Sequence, residues 1–356
     1  MSRFLSEAVQ NMTPYTPGEQ PQDKSYIKLN TNECPYGPSL LVREAVEKFE
    51  NGSLRLYPDP DSAALRQAAA AAYGIRPEQV FAGGGSDEAL AYAFMAFFDK
   101  GDAVLFPDIT YGFYQVYADL FMLSAKIIPL TEDYRVRIAD YFGAEGHIFL
   151  ANPNAPTGIV LPVADIEQIL QKNPNKLVIV DEAYVDFSPG ASCVGLIDKY
   201  DNLLVIQTFS KSRALAGMRL GFAFGNADLI AGLERVKYSF NPYNLDRLSV
   251  AVGIAALADK EYLARITRQI IATRERTTAA LQALGFAVLP SGSNFLFAAS
   301  PAIGGGALYL ALKDAGILVR HFAKARIRDF VRITIGTDDE MNSLLRAVEK
   351  ILAGAK

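Results

Sequence analysis

The residues able to do chemistry recur at one kind of place, directly after a short apolar run. Val80-Phe81 leads into Gly83-Gly84-Gly85 and Ser86, and Val104 to Phe106 leads into Pro107 and Tyr111. Ile148 to Ala151 leads into Asn152-Pro153-Asn154-Ala155-Pro156-Thr157-Gly158. Leu177 to Val180 leads into Asp181-Glu182-Ala183-Tyr184, and Leu203 to Ile206 into Thr208-Phe209-Ser210-Lys211. Every sequel carries a group able to bind a phosphate, an aromatic ring or a carbonyl. Ligands of parallel α/β sheets bind outside the carboxyl ends of the strands, so these sequels would share one rim. Singly, each has an ordinary structural explanation. A glycine triplet between strand and helix is commonly a turn, a lysine after a strand is commonly solvated, and an aspartate ending an apolar run is often a helix cap. Arg219 could be a simple ion-pair partner. The glycines match neither the spaced dinucleotide fingerprint nor the lysine-tipped phosphate loop of nucleotide-binding proteins. It is the repetition at successive strand ends that points to a site.

The elements that would position this rim follow from the apolar pattern. The runs before the functional residues are short, unbroken and rich in β-branched residues, as strands covered on both faces should be. Helical segments separate several of them: Ser62 to Tyr73, Ser86 to Phe98 and Val163 to Gln171. This alternation predicts an α/β fold with a mainly parallel sheet. After Asn244 two long helical patterns follow, Asp246 to Ala258 and Tyr262 to Leu284. A smaller α+β unit comes next, with strands at Ala287 to Leu289, Phe295 to Ala298, Ile317 to Arg320 and Val331 to Ile335. Gly304-Gly305-Gly306 reads as a loop, and a last helix runs from about Asp338, a good N-cap type, to Ala353. The expected division is a large unit over 46–258 and a small one made of 1–45 and 259–356.

Composition narrows the class. Of 356 residues half are apolar and 21% are charged, with a net charge of −4. That is a globular profile with ample core material, and with no long basic run, nucleic acid is not an expected partner. Two cysteines and two widely separated histidines provide neither a disulfide framework nor a metal-ligand pattern. The first 22 residues are polar and proline-punctuated, without an apolar signal core, and no stretch approaches the length of a membrane span. The expected location is the cytoplasm.

At this point the residues resemble a known family. Thr208-Phe209-Ser210-Lys211-Ser212-Arg213, continued by Ala216-Gly217-Met218-Arg219-Leu220-Gly221, resembles the cofactor-lysine signature of the fold-type I aminotransferases, which use pyridoxal 5′-phosphate. Asp181-Glu182-Ala183-Tyr184 is similar to the same family's cofactor aspartate and tyrosine. Within that family the chain looks like the histidinol-phosphate aminotransferases. That likeness rests on Leu29-Asn30-Thr31-Asn32-Glu33, Leu56-Tyr57-Pro58-Asp59, Gly85-Ser86-Asp87-Glu88, Thr110-Tyr111-Gly112 and Arg332-Ile333-Thr334-Ile335-Gly336-Thr337, in the expected order along nearly the whole chain.

The resemblance implies roles that chemistry explains. Lys211 would carry the cofactor and then serve as the base that moves the substrate proton. Asp181 would keep the pyridine nitrogen protonated, Tyr184 would bond the ring's phenolic oxygen, and Tyr111 would stack on the ring. Gly85, Ser86 and Asp87 at a helix start, with Thr208, Ser210 and Arg219, would hold the phosphate. Tyr57 would reach that phosphate from a neighbouring subunit, which implies a homodimer. Arg332, assisted by Arg320 and Tyr15 and with Asn32 nearby, would meet the anionic end of the substrate. The family commonly places an asparagine immediately before Pro-Thr-Gly to bond the phenolic oxygen. Here that position is Ala155, so either Asn154 takes the role through a shifted loop, the favoured alternative, or Tyr184 acts alone. The implied reaction is transfer of the amino group of L-histidinol phosphate to 2-oxoglutarate. An aromatic amino-acid aminotransferase and a threonine-phosphate decarboxylase remain open alternatives. A transcription regulator would need a DNA-binding module, for which there is no room before Leu29, and a purely structural protein would give no reason to gather these groups.

Overall fold

The computed structural model describes residues 2–354. Its centre is a seven-stranded sheet in the spatial order Val80–Gly83, Gly221–Gly225, Leu203–Thr208, Val178–Asp181, His147–Ala151, Ala103–Pro107 and Ser124–Ile128. Neighbours pair in parallel except on the two sides of Gly221–Gly225, which runs against both its partners. The other strands therefore end on one edge, and the chain has the expected α/β fold with a mainly parallel sheet. Val178–Asp181 and Leu203–Thr208 are buried along their whole length. Val178, Val180 and Val205 face a core shared with Leu65, Ile166 and Val252, while Ile179, Leu204 and Ile206 face one shared with Leu90, Phe94 and Leu233. Covering both faces requires apolar residues at every position, which is why these strands read as unbroken runs.

Two strands lack that signature. Ser124–Ile128 is the sheet edge and keeps partly exposed side chains. Gly221–Gly225 is bounded by glycines for a packing reason. A Cβ on Gly221 would stand 2.3 Å from the carbonyl carbon of Gly85 and 2.4 Å from the amide nitrogen of Ser86. Gly85 itself has φ +96°, a conformation that glycine alone adopts readily. The two glycines let the reversed strand touch the turn that opens helix Ser86–Phe97.

A second sheet is antiparallel, ordered Arg320–His321, Phe330–Thr334, Phe295–Ala299 and Ala287–Val288. It packs with helices Lys260–Ala283, Gly305–Asp314 and Asp338–Gly354 around Ile266, Ile270, Leu296, Leu308, Ile333 and Leu344. The segment Ile27–Lys28 pairs in parallel with Ile317–Leu318 and sends Leu29 into this core. Helix Leu40–Glu47 instead places Val42 in the core of the large sheet.

Three local expectations need correction. Gly304-Gly305-Gly306 is not a loop: Gly304 caps the helix Gly305–Asp314, because burial of Leu308 and Leu312 outweighs the low helix propensity of glycine. The run Ile317 to Arg320 is divided between two sheets. The last helix is capped by Thr337 rather than Asp338. Thr337 Oγ1 accepts the Glu340 amide at 3.3 Å while the Glu340 carboxylate accepts the Thr337 amide at 2.7 Å, a capping box. No helix among the described residues is long and apolar enough to cross a membrane.

Candidate active site

The strand ends converge on a cavity of about 410 Å³, a volume typical of small-molecule sites. Lys211, Asp181, Tyr184, Tyr111, Ser86, Asp87, Thr208, Ser210 and Arg219 all line it, each at or beyond the end of a strand of the large sheet. Tyr15, Asn32, Arg320 and Arg332 complete it from the N-terminal segment and the smaller sheet. Lys211 Nζ lies 3.3 Å from the Thr31 carbonyl and 5.9 Å from the centre of the Tyr184 ring. No carboxylate among the described residues pairs with it. Asp181 is buried, and its oxygens accept the Tyr114 hydroxyl at 3.0 Å and the Ala183 amide at 3.1 Å. Burial pushes its pKa up to about 6, with the two hydrogen bonds opposing.

One part of the cavity is built for an anion. Helix Ser86–Phe97 presents its first-turn N–H groups there, which have no partners within the helix. Thr208 Oγ1 and Ser210 Oγ lie 2.8 Å apart, and Arg219 Nη1 is 3.4 Å from Ser210 Oγ. Arg219 Nη2 stands 3.8 Å from Asp87, whose carboxylate also accepts the Tyr111 hydroxyl at 2.8 Å. Glu88 accepts the Gly84 amide and, at 2.9 Å, the Asn244 side chain, so the glycine turn is held firmly against the helix start.

A second anion locus lies on the other sheet. Arg332 is half-buried, with its guanidinium 5.3 Å from the Phe295 ring centre and 5.7 Å from that of Phe322. Its Nη2 donates to the Asn30 carbonyl at 3.0 Å, whereas its Nε has no partner among the described residues. Burial lowers its pKa, as expected for a cation removed from water without a counter-charge. Arg320 directs its fork at the N-terminal segment, donating to the carbonyls of Pro17 at 3.0 Å and Thr16 at 2.9 Å. That clamp brings Tyr15 over the cavity, stacked on Phe113 at 4.4 Å.

Three expected residues do not line the cavity. Gly85 stands behind it, with a Cβ position only 2.6 Å from Arg219 Nη2, so it allows the arginine to lie across the turn. Tyr57 is 75% exposed and stacks on Tyr243 in a separate surface hollow. Asn154 must be corrected. Its amide donates to the Ile109 carbonyl at 3.0 Å and Thr157 Oγ1 at 2.9 Å, and its oxygen accepts from Thr110 at 2.9 Å. Its polar atoms are committed to bracing the loop, and Ala155 and Pro156 face the cavity instead. Tyr114, Phe322 and Lys324 were not legible as site residues. Tyr114 reads as an ordinary core aromatic, and the other two sit in no motif.

Comparison with known proteins shows the family. The model of the aminotransferase class I and II family matches residues 24–348. A histidinol-phosphate aminotransferase of a Marinomonas species is 52% identical over 354 residues, covering 99% of this chain and 100% of its own length. That of Brachyspira hyodysenteriae is 50% identical over 352 residues, covering 99% of each. The crystal structure of the histidinol-phosphate aminotransferase of Sinorhizobium meliloti, in complex with pyridoxal-5′-phosphate, is similar over 100% of this chain and 99% of its own, with a TM-score of 0.90 and 25% identity. The chain belongs to the class I and II aminotransferase family.

Proposed function

We propose that this aminotransferase uses pyridoxal 5′-phosphate to transfer the amino group of L-histidinol phosphate to 2-oxoglutarate, giving imidazole acetol phosphate and glutamate. The observation that carries the substrate reading is the pair of separate anion loci on one cavity. The hydroxyl, arginine and helix-start cluster takes the cofactor's phosphate, and the half-buried Arg332, with an unpartnered Nε, takes the substrate's. The residues fit the cofactor. Asp181 is a buried carboxyl that forms no salt bridge among the described residues, suited to a protonated ring nitrogen. When bound, the cofactor supplies the electron sink and the temporary seat for the amino group. Lys211 would hold it, and the lysine amine would be placed to move the proton at the substrate carbon, a positioned transfer worth roughly 10²–10⁴-fold. Tyr184 would donate to the phenolic oxygen, and Tyr111 would cover the ring.

The active unit is a homodimer, since Tyr57 lies outside its own cavity beside exposed Leu54 and Leu56. We take 46–258 as the large unit and 1–45 with 259–356 as the small one, and add helix Leu40–Glu47 to the large unit because Val42 packs in its core. We place the enzyme in the cytoplasm, where its two cysteines, both free, remain reduced. The deciding assay is glutamate formation from 2-oxoglutarate with histidinol phosphate or phenylalanine as donor. Preference for phenylalanine overturns the substrate assignment. Borohydride reduction of the yellow enzyme followed by peptide mapping should mark Lys211, and a mark on another lysine overturns its role.

A further inference from the structure

Asn32 sits where the N-terminal segment crosses the cavity, 1% exposed and with φ +58°, a left-handed conformation that asparagine tolerates. Its Nδ2 donates to the Tyr184 hydroxyl oxygen at 2.9 Å. The orientation of the amide is determined by Thr334. Thr334 Oγ1 accepts the Asn32 backbone N–H at 3.0 Å, so its own proton goes to Asn32 Oδ1, also at 3.0 Å. Turning the amide over would leave that proton without an acceptor. The Asn32 carbonyl is held in addition by Asn294 Nδ2 at 2.9 Å. With its oxygen already accepting, the Tyr184 hydroxyl has no acceptor for its own proton among the described residues, and Tyr184 lines the cavity. Thr334, Asn32 and Tyr184 thus form a directed chain of donors ending in the cavity, and successive hydrogen bonds in such a chain strengthen one another.

This chain has a reason to need that strengthening. Ala155 offers no donor, and the Asn154 amide is committed to its loop. Of the two residues expected at the ring's phenolic oxygen, only Tyr184 is left. We propose that Asn32 is a positioning residue that makes Tyr184 a stronger and correctly aimed donor to that oxygen, in place of the donor missing at Ala155. This rests on the cofactor reading above, and it replaces the expectation that Asn32 binds substrate.

A hydrogen bond donated to an ionised oxygen favours the ionised form, so weakening the donor raises the pH at which the bound cofactor changes colour. The charged and titratable groups around Tyr184 are Lys211, Arg332, Tyr15 and Tyr114, and none is altered by substituting Asn32. The experiment titrates the visible absorption of the pyridoxal-phosphate-loaded enzyme from about pH 5 to about pH 10 in wild type, Asn32→Ala, Asn32→Asp and Tyr184→Phe. Tyr184→Phe should raise the midpoint by about one unit or more, and Asn32→Ala by about half a unit to one unit. Asn32→Asp keeps the shape and the acceptor for Thr334 but attracts the tyrosine proton, so it should raise the midpoint at least as far. If the Asn32 variants do not fold, Thr334→Val, which frees the amide to turn over, should give a smaller rise in the same direction. A merely structural Asn32 would lower melting temperature or cofactor affinity and leave the midpoint of the loaded enzyme in place. Midpoints unchanged in the Asn32 or Thr334 variants, while Tyr184→Phe moves, overturn the proposal alone. A wild type that takes up no cofactor, or an unmoved Tyr184→Phe, overturns the underlying reading as well.

Discussion

Arg332 stands on strand Phe330–Thr334, half-buried against Phe295 and Phe322, with its Nε unpartnered among the described residues. A buried donor left without a partner is costly unless a ligand completes it. Losing a hydrogen bond to a charged group costs roughly 1.5–3 kcal/mol, so Arg332→Ala should lower kcat/KM for histidinol phosphate about 10–150-fold. Arg332→Lys should recover only part of this, because an ammonium lacks the planar fork. A fully active Arg332→Ala enzyme would remove the residue from the site. Arg320 should behave differently. Its fork holds Thr16 and Pro17, so Arg320→Ala should also loosen the N-terminal segment, read as faster proteolysis before Gly18. Unchanged cleavage would show that the clamp has no such role.

The element that depends most on a single atom is the strand Gly221–Gly225. Adding a Cβ at Gly221 forces it into the backbone of Gly85 and Ser86, where no side chain can yield. Overpacking typically costs about 1–3 kcal/mol and more when backbone must move, so Gly221→Ala should lower both melting temperature and cofactor affinity. Wild-type affinity in that variant would mean that the helix start is not held by this contact. Glu182 joins three elements, accepting the Cys193 amide at 2.5 Å and, at 2.8 Å each, the side chains of Ser192 and Gln207. Burial pushes its carboxyl from 4.5 up to about 7, with those bonds opposing. The folded pKa lies above the unfolded one, so ionisation opposes folding. The contribution is neutral below pH 4.5, falls as pH rises toward 7, and levels off beyond. Asp181 acts in the same sense between 3.8 and about 6. Denaturant curves at pH 5 and pH 8 should therefore show a larger loss in wild type than in Glu182→Gln, by up to a few kcal/mol. Equal losses would exclude Glu182 as the source.

At the scale of the whole molecule, the proposed composite site makes a prediction that no single chain can. Tyr57 lies outside its own cavity, and Arg247 holds the carbonyls of Leu56 and Tyr57 at 3.2 Å and 2.7 Å, which presents the ring outward. Lys211→Ala and Tyr57→Ala subunits, each impaired alone, should complement when mixed. Half of randomly re-associated dimers are mixed, and each of those carries one intact site of two, so about a quarter of wild-type activity should return. Mixed dimers that form without restoring activity would show that Tyr57 does not act across the interface.

The sequence alone determined the fold class and the rim of the site. Strands buried on both faces must be apolar throughout, and ligands bind outside their carboxyl ends, so Asp181, Tyr184 and Lys211 stood out by position, while Arg219 was marked by the family resemblance. It was silent where the constraint is not periodic. Ser124–Ile128 lies at a half-covered edge, and Gly221–Gly225, though buried throughout, owes its first glycine to one close approach. The partners of a buried amide were least legible of all. Asn32 and Asn154 are the same residue type within similar loop motifs, yet one points at Tyr184, 152 positions away, and the other braces Ile109, Thr110 and Thr157. Only the tertiary structure decides this, because an amide's hydrogen bonds depend on which distant backbone and hydroxyl groups are brought within 3 Å of it.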